Sequence, residues 1–169
     1  MRIGVVLPIG QEDGMAATPP YAEIRAVAVA AEEAGLDSAW VYDHLLFRFD
    51  GETTGIHECW TTLAAIAEAT DRVQLGTIVM CTGFRNPALL AKMAATLDHI
   101  SDGRLILGIG CGWHDPEYDA FGYPTDHKVG RFGLSKQGVC IALLVFQIGK
   151  SPIKPNEIAR EQPPSVSTE

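Results

Sequence analysis

The stretch Ser38-Ala39-Trp40-Val41-Tyr42-Asp43-His44 decides the fold that we predict for this chain. Its first five residues are small, β-branched or aromatic, which is typical of a short buried strand. An acid and an imidazole follow at once, so the run ends on two side chains that can carry charge and exchange protons. We therefore predict a buried strand that ends in a candidate functional pair, Asp43 and His44.

The same alternation of strand and helix recurs on both sides of that stretch. The other predicted strands are Ile3–Leu7, Val73–Val79 and Leu105–Ile109. The predicted helices are Tyr21–Ala34, which Gly35 caps, Trp60–Thr70, and Pro87–His99, which Asn86 caps. Residues 45–58 are predicted to form a polar loop, and residues 114–118 a loop with an aromatic rim.

The predicted strands begin about every 35 residues, and this regular spacing demands a parallel sheet with helical crossovers. Two α/β folds fit, an open doubly wound sheet or a (β/α)8 barrel, and four units do not decide between them. In both folds, function collects at the carboxyl ends of the strands. That rule selects four clusters: Pro8–Gly10, Asp43-His44, Met80–Thr82 and Gly110–His114.

The glycine-rich run Gly108–Gly112 follows a predicted strand, and glycines there let the backbone approach a planar ring or a phosphate closely. The dinucleotide fingerprint G-x-G-x-x-G would need its third glycine at position 113, which is Trp113. A nicotinamide-binding protein of the Rossmann type is therefore disfavoured.

Composition excludes several other classes of protein. The 169 residues carry a formal net charge of −8, which repels nucleic acid and anionic lipid. No secretory signal is visible, and the four cysteines are scattered without a C-x-x-C pair, so we expect a cytoplasmic protein without structural disulfides. No metal site is expected, because the adjacent run His57–Cys59 has no second ligand cluster to match it.

Seven short blocks occur in order and together resemble the luciferase-like monooxygenase superfamily, especially its coenzyme F420-dependent branch. The resemblance covers about residues 1–132. The blocks are Trp40–His44, Leu75–Val79, Arg85–Lys92, Thr96–Asp98, Ser101–Leu105, Leu107–Trp113 and Ala120–Gly122.

The resemblance implies a TIM-type (β/α)8 barrel, of which this chain supplies about four βα units. It implies F420, which the branch favours, or FMN at the mouth of the barrel, with Ile78-Val79 behind the ring and often a non-prolyl cis peptide there. His44 and Asp43 would be catalytic, His44 by proton transfer and Asp43 near the ring edge. The remaining residues implied are Cys81, Gly110, Cys111 and Gly112 for the cofactor, and Pro8, Trp113 and His114 for the substrate pocket.

The implied reaction is hydride transfer to, or oxygenation of, a small organic substrate. One departure bears on the substrate. In the sugar-phosphate dehydrogenase branch a glutamate acts as an acid directly after the glycine-rich turn, where this chain has Trp113. We therefore expect an apolar wall at that position rather than a sugar-phosphate site.

Residues 133–169 depart further from the family, because the expected long amphipathic helix gives way to Gly133-Leu134-Ser135 and a proline-rich stretch. We predict a divergent, partly disordered tail and a frameshifted or truncated product, with a genuine short paralogue as the alternative. A half barrel leaves two strand edges unpaired, so self-association, for example as a homodimer, is expected. The alternative function is a catalytically inactive half barrel that acts as a self-associating or partner-binding module.

Overall fold

The computed structural model describes residues 1–12 and 14–124, and the predicted tail at 133–169 lies outside them. The helices are α1 (Tyr21–Glu33), α2 (Cys59–Ala69), α3 (Pro87–Ile100) and α4 (Asp115–Phe121), with a 3-10 turn at Thr82–Phe84. The strands are β1 (Gly4–Val6), β2 (Ser38–Val41), β3 (Leu46–Phe49), β4 (Glu52–Gly55), β5 (Gln74–Thr77), β6 (Met80–Cys81), β7 (Leu105–Ile106) and β8 (Ile109–Gly110).

Four strands form one parallel sheet in the order β1-β2-β5-β7, and a helix lies between each of them and the next along the chain. The register pairs Val5 with Ala39, Ala39 with Leu75, and Leu75 with Leu105. Farther along the chain, β6 and β8 pair in parallel as a separate two-stranded sheet. The predicted parallel α/β sheet is confirmed.

The hydrophobic core lies between one face of this sheet and helices α1, α2 and α3. Alternate residues of the central strands point to that face, and Ala39, Val41 and Leu75 are fully buried. The helices meet them with buried side chains at helical spacing, among them Ile24, Ala28, Leu63, Ile66, Leu90 and Leu97.

Arg104 ties the ends of α2 and α3 to the sheet. Its guanidinium donates hydrogen bonds to the carbonyl oxygens of Ala67, Val73 and Ser101 at 2.7, 3.2 and 2.8 Å. These carbonyl groups lie at or just past helix ends, where the helix itself offers them no donor. One arginine thus fixes how both helices enter the following strands.

The predicted polar loop at residues 45–58 is wrong in large part, because residues 46–55 form the antiparallel hairpin of β3 and β4. Phe47 and Phe49 alternate with polar residues there, which is a strand pattern. The run Asp50-Gly51-Glu52 that follows is typical of a loop, and the prediction followed that signal. Asp50 and Gly51, both with positive φ, make the tight turn.

Two further expectations about secondary structure need correction. The predicted strand Leu105–Ile109 is broken in two, because Gly108 leaves the ladder to bond to Thr77 and Met80. The predicted loop at residues 114–118 is the start of α4. Pro116 in the first turn and Gly122, whose φ is 72°, after the last turn are the signals of a helix, and they stand in the sequence.

The first strand was predicted to be buried, but its side chains are largely exposed. Val6 is 50% exposed, and Ile3 just before the strand is 52% exposed. The reason is that β1 is an edge strand, because only β2 pairs with it among the residues that the structure describes. In that same part of the chain, no helix is long and apolar enough to cross a membrane.

Candidate functional site at the carboxyl ends of the strands

The four clusters selected from the sequence meet at one end of the sheet. The backbone N–H of Cys81 donates to Oδ2 of Asp43 at 2.8 Å, which joins the end of β2 to β6. The Thr82 hydroxyl donates to the carbonyl of Gly110 at 3.1 Å, which joins β6 to β8. Gly10 packs so closely on Tyr42 that an added Cβ would lie 2.5 Å from the phenol oxygen. The expected convergence is therefore present.

Ile78 and Val79 form an exposed apolar surface where β5 gives way to β6. They are 53% and 44% exposed, although Thr77 before them and Met80 after them are buried. The peptide bond between Ile78 and Val79 is cis, as the family resemblance implied. Backbone hydrogen bonds from Ile78 to Val41 and from Met80 to Gly108 hold both ends of this segment.

The glycines of the Gly108–Gly112 run are required by close contacts within the chain. A Cβ on Gly108 would overlap the carbonyl oxygen of Thr77, and one on Gly110 would overlap the side chain of Val79. Gly112 has a φ of 73°, and a Cβ there would meet Tyr118. These contacts explain the glycines without a ligand, so backbone contact of Gly110, Cys111 and Gly112 with a cofactor stays a prediction.

Asp43 belongs to an ionic cluster in which Arg85 contacts both Asp43 and Glu58, and the Glu58 side chain is 42% exposed. Both Asp43 oxygens accept from the Arg85 guanidinium, at 2.6 and 3.1 Å, and Arg85 also contacts Glu58. The side chain of Asp43 is fully buried and that of Arg85 is 10% exposed. Burial opposes the charge of Arg85, but hydrogen bonds and charges of the two acids outweigh it and raise its pKa. Asp43 therefore ties β2 to β6, and a direct catalytic role for it stays a prediction.

His44 has a different acidic partner. Its Nδ1 atom lies 3.0 Å from Oε1 of Glu117, whose side chain is fully buried in α4. Although Asp43 and His44 are adjacent, they do not pair with each other, because Arg85 and Cys81 engage the Asp43 carboxylate. Sequence reasoning missed Glu117 because residues 114–118 were predicted to be a loop. The signal that could have found it is the Pro-acid start of a helix.

An aromatic wall stands beside His44. Trp113 and Phe49 are 60% and 55% exposed, and their rings are nearly parallel with centroids 6.3 Å apart. The His44 ring lies 5.5 Å from Trp113 and 4.6 Å from Phe47. The wall thus combines the predicted Trp113 with two hairpin phenylalanines that were not predicted.

Of the other predicted pocket residues, Pro8 is half-buried just after β1, and the His114 ring packs against the rings of Phe49 and Trp113. His114 is 4% exposed, and its Nε2 atom accepts from the backbone N–H of Arg48 at 3.0 Å. His114 directly precedes α4 and holds the backbone of β3, so its part in the substrate pocket stays a prediction.

The three cysteines within residues 1–124 are free thiols. Cys81 is buried, its sulfur lies 2.9 Å from the Tyr118 hydroxyl oxygen, and burial raises its pKa. Burial likewise raises the pKa of Cys59, whereas Cys111 is half-buried. Cys81 was predicted to bind a cofactor, but its thiol is already paired with Tyr118. No group of three or more His, Cys, Asp or Glu residues in the described range has a metal-binding arrangement.

A family model described as luciferase-like monooxygenase matches residues 1–133. The F420-dependent glucose-6-phosphate dehydrogenase of Amycolatopsis mediterranei is 49% identical over 87 residues, which cover 50% of this chain and 26% of that protein. The pyrimidine monooxygenase RutA of Methylobacterium radiotolerans is 34% identical over 165 residues, which cover 91% of this chain and 43% of that protein. The chain thus spans less than half the length of these relatives.

Solved structures give the same picture. An F420-dependent secondary alcohol dehydrogenase, solved with an F420-acetone adduct, has a TM-score of 0.69 and 25% identity, covering 85% of this chain and 41% of that one. The oxygenating constituent of 3,6-diketocamphane monooxygenase from Pseudomonas putida, solved with FMN, also has a TM-score of 0.69. It is 23% identical and covers 84% of this chain and 38% of that one, a likeness that shows the fold alone.

Proposed function

The chain belongs to the luciferase-like monooxygenase family, and from this membership we propose that it supplies the ring-binding mouth of an F420-dependent oxidoreductase. The observation that carries the proposal is the exposed pair Ile78 and Val79, held at the carboxyl ends of the strands, where Ile78 bonds to the backbone of Val41 at the end of β2. Two of the named relatives above, a glucose-6-phosphate dehydrogenase and a secondary alcohol dehydrogenase, are F420-dependent, which favours F420 over FMN.

The residues at the mouth fit a planar, largely apolar ring. Ile78 and Val79 expose aliphatic surface at the end of a sheet whose backbone is tied down on both sides, so the surface is formed in advance. Covering such a surface with a ring removes apolar area from water and is favourable. When bound, a deazaflavin would supply two-electron hydride chemistry, whereas FMN would also permit reaction with oxygen.

The side chains around that surface would transfer a proton and exclude water. His44 would hold or release a proton on its imidazole beside the substrate. Trp113 and Phe49 would exclude water and contact apolar parts of the substrate. Because Trp113 cannot donate or accept a proton as a carboxyl group does, we propose a small apolar organic substrate rather than a sugar phosphate.

Replacing Ile78 with aspartate is expected to weaken F420 binding at least tenfold, which corresponds to about 1.4 kcal/mol. The new carboxylate would need to lose water beneath an apolar ring, and that desolvation is costly. The measurement is a titration of the purified chain with F420 and, separately, with FMN, followed by absorbance and fluorescence.

The matched control is Ile100→Asp, because Ile100 is 47% exposed and is the last residue of α3, next to the turn that leads into the amino end of β7. We expect the control to bind F420 as the unaltered chain does. Binding of FMN without F420 would overturn the choice of cofactor. Binding of neither by the unaltered chain would overturn the proposed function itself.

A second candidate function rests on the exposed edge of the sheet. Ile3, just before β1, and Val6, on β1, present apolar side chains, and exposed parallel edges invite pairing with another chain. An inactive half barrel that pairs with itself or a partner predicts association without turnover. Sedimentation equilibrium should then show a dimer or larger species, and replacing Val6 with lysine should shift it toward monomer. A single monomeric species of the unaltered chain would contradict this candidate.

A further inference from the structure

We propose that Glu117 is the positioning residue for His44, and that it holds the neutral imidazole in the tautomer protonated at Nδ1. The opposite nitrogen, Nε2, would then be free to accept a proton from a substrate. The catalytic meaning of this arrangement rests on the proposed function, but the tautomer itself is a property of the chain alone.

The first support is the geometry of the Glu117 carboxylate. Oε1 lies 3.0 Å from Nδ1 of His44, and Oε2 accepts from the backbone N–H of Leu45 at 2.8 Å. The side chain of Glu117 is 0% exposed, whereas that of His44 is 13% exposed. A buried carboxylate needs hydrogen-bond donors on both oxygens, and the only candidates seen in the described part are these two consecutive residues.

The second support is that the Leu45 donor cannot change. A backbone N–H always donates, so Oε2 must accept, and an ionised carboxylate has only acceptors to offer at Oε1 as well. Nδ1 of His44 must then carry the proton. Among residues 1–124, no hydrogen bond engages Nε2 of His44, which lies on the opposite edge of the ring.

The third support is that the other acid and the other histidine near His44 already have other hydrogen-bond partners. The neighbouring acid, Asp43, is committed to Arg85 and to the N–H of Cys81. The other histidine nearby, His114, has its ring centroid 6.3 Å from that of His44, and its Nε2 accepts from Arg48. Phe47 packs against the His44 ring, which limits rotation of the imidazole.

Glu117→Gln gives a sharp test of this arrangement. The amide has one acceptor and one donor group, and the Leu45 N–H requires the acceptor. The NH2 group then faces Nδ1 of His44, which can remain bonded only by giving up its proton. We therefore expect the tautomer to change from Nδ1–H to Nε2–H, so that Nε2 becomes a donor.

The measurement is long-range proton–nitrogen correlation NMR on the full chain labelled with ¹⁵N-histidine, at a pH of about 8.5, where an ordinary imidazole is neutral. The His44 signals are assigned by their absence in His44→Asn. The matched control is Glu32→Gln, because the Glu32 carboxylate also accepts from backbone N–H groups, those of Asp71, Arg72 and Val73, but lies away from His44. We expect the control to keep the Nδ1–H tautomer.

Two results would overturn the proposal: an Nε2–H tautomer in the unaltered chain, or an Nδ1–H tautomer that survives in folded Glu117→Gln. The first can be read even if the variant does not fold. The experiment needs no cofactor, so it is independent of the proposed function. An Nδ1–H tautomer in a chain that binds neither F420 nor FMN would sustain the role of Glu117 and overturn only the oxidoreductase.

Discussion

Replacing Arg85 with methionine is expected to lower the free energy of unfolding by about 3–5 kcal/mol. The Arg85 guanidinium is the only cation in contact with the fully buried carboxylate of Asp43 among the described ion pairs. Without it, that carboxylate keeps one donor, the N–H of Cys81, and its charge is left uncompensated away from water. Urea unfolding followed by circular dichroism measures the change.

Two companion variants separate charge from packing. Asp43→Asn combined with Arg85→Met removes both charges and is expected to recover part of the lost stability, because the amide oxygen can still accept from Cys81. Arg72→Met is the surface control, since Arg72 is exposed and its guanidinium donates to the carbonyl of Glu32. We expect it to change stability by less than about 1 kcal/mol. A loss below that value for Arg85→Met would mean that Asp43 is not held as a buried charge.

Replacing Gly108 with alanine is expected to lower the free energy of unfolding by about 1–3 kcal/mol and to abolish ring binding at the mouth. The added Cβ would overlap the carbonyl oxygen of Thr77, which is backbone and cannot rotate away. The same residue exchanges two hydrogen bonds with the Thr77 hydroxyl, at 2.8 and 3.0 Å. Relief of the overlap must separate β5 from the segment before β8, and Ile78 and Val79 would move with it.

The control for this variant is Gly55→Ala in the hairpin. A Cβ on Gly55 would meet only the Thr18 methyl group, at 3.1 Å, and this side chain can yield. We expect unfolding and F420 titrations of Gly55→Ala to match those of the unaltered chain. If Gly108→Ala kept both stability and binding, the tight contact between Gly108 and Thr77 would not be what shapes the mouth.

Much of the fold could be predicted because its signals are local. The apolar runs at residues 38–42 and 73–79 became β2 and β5. The caps at Gly35 and Asn86 lie where they were predicted: Gly35 has a φ of 83°, and the Asn86 side-chain oxygen accepts from two backbone N–H groups of α3. The family resemblance was predicted from ordered blocks, and the match over residues 1–133 confirms it. The boundary at residue 132 stays a prediction.

The errors lie where local signals are weak or compete. The hairpin of β3 and β4 was missed because each strand has four residues and the turn residues around them favour a loop. The helix α4 was missed because its seven residues offer little periodicity. Glu117 was lost with it, and so was the partner of His44.

The sequence by itself determined the alternation of strands and helices, the strand ends at which polar residues collect, and the family to which the chain belongs. These depend on side-chain periodicity and turn chemistry within a few residues. Only the tertiary structure decided the partners at the site, namely Arg85 for Asp43 and Glu117 for His44, which lie 42 and 73 residues away along the chain. It also showed that Gly108–Gly112 pack against their own chain. Such pairings depend on which backbone segments meet in space, and a buried charge takes whichever partner the packing brings within hydrogen-bond distance.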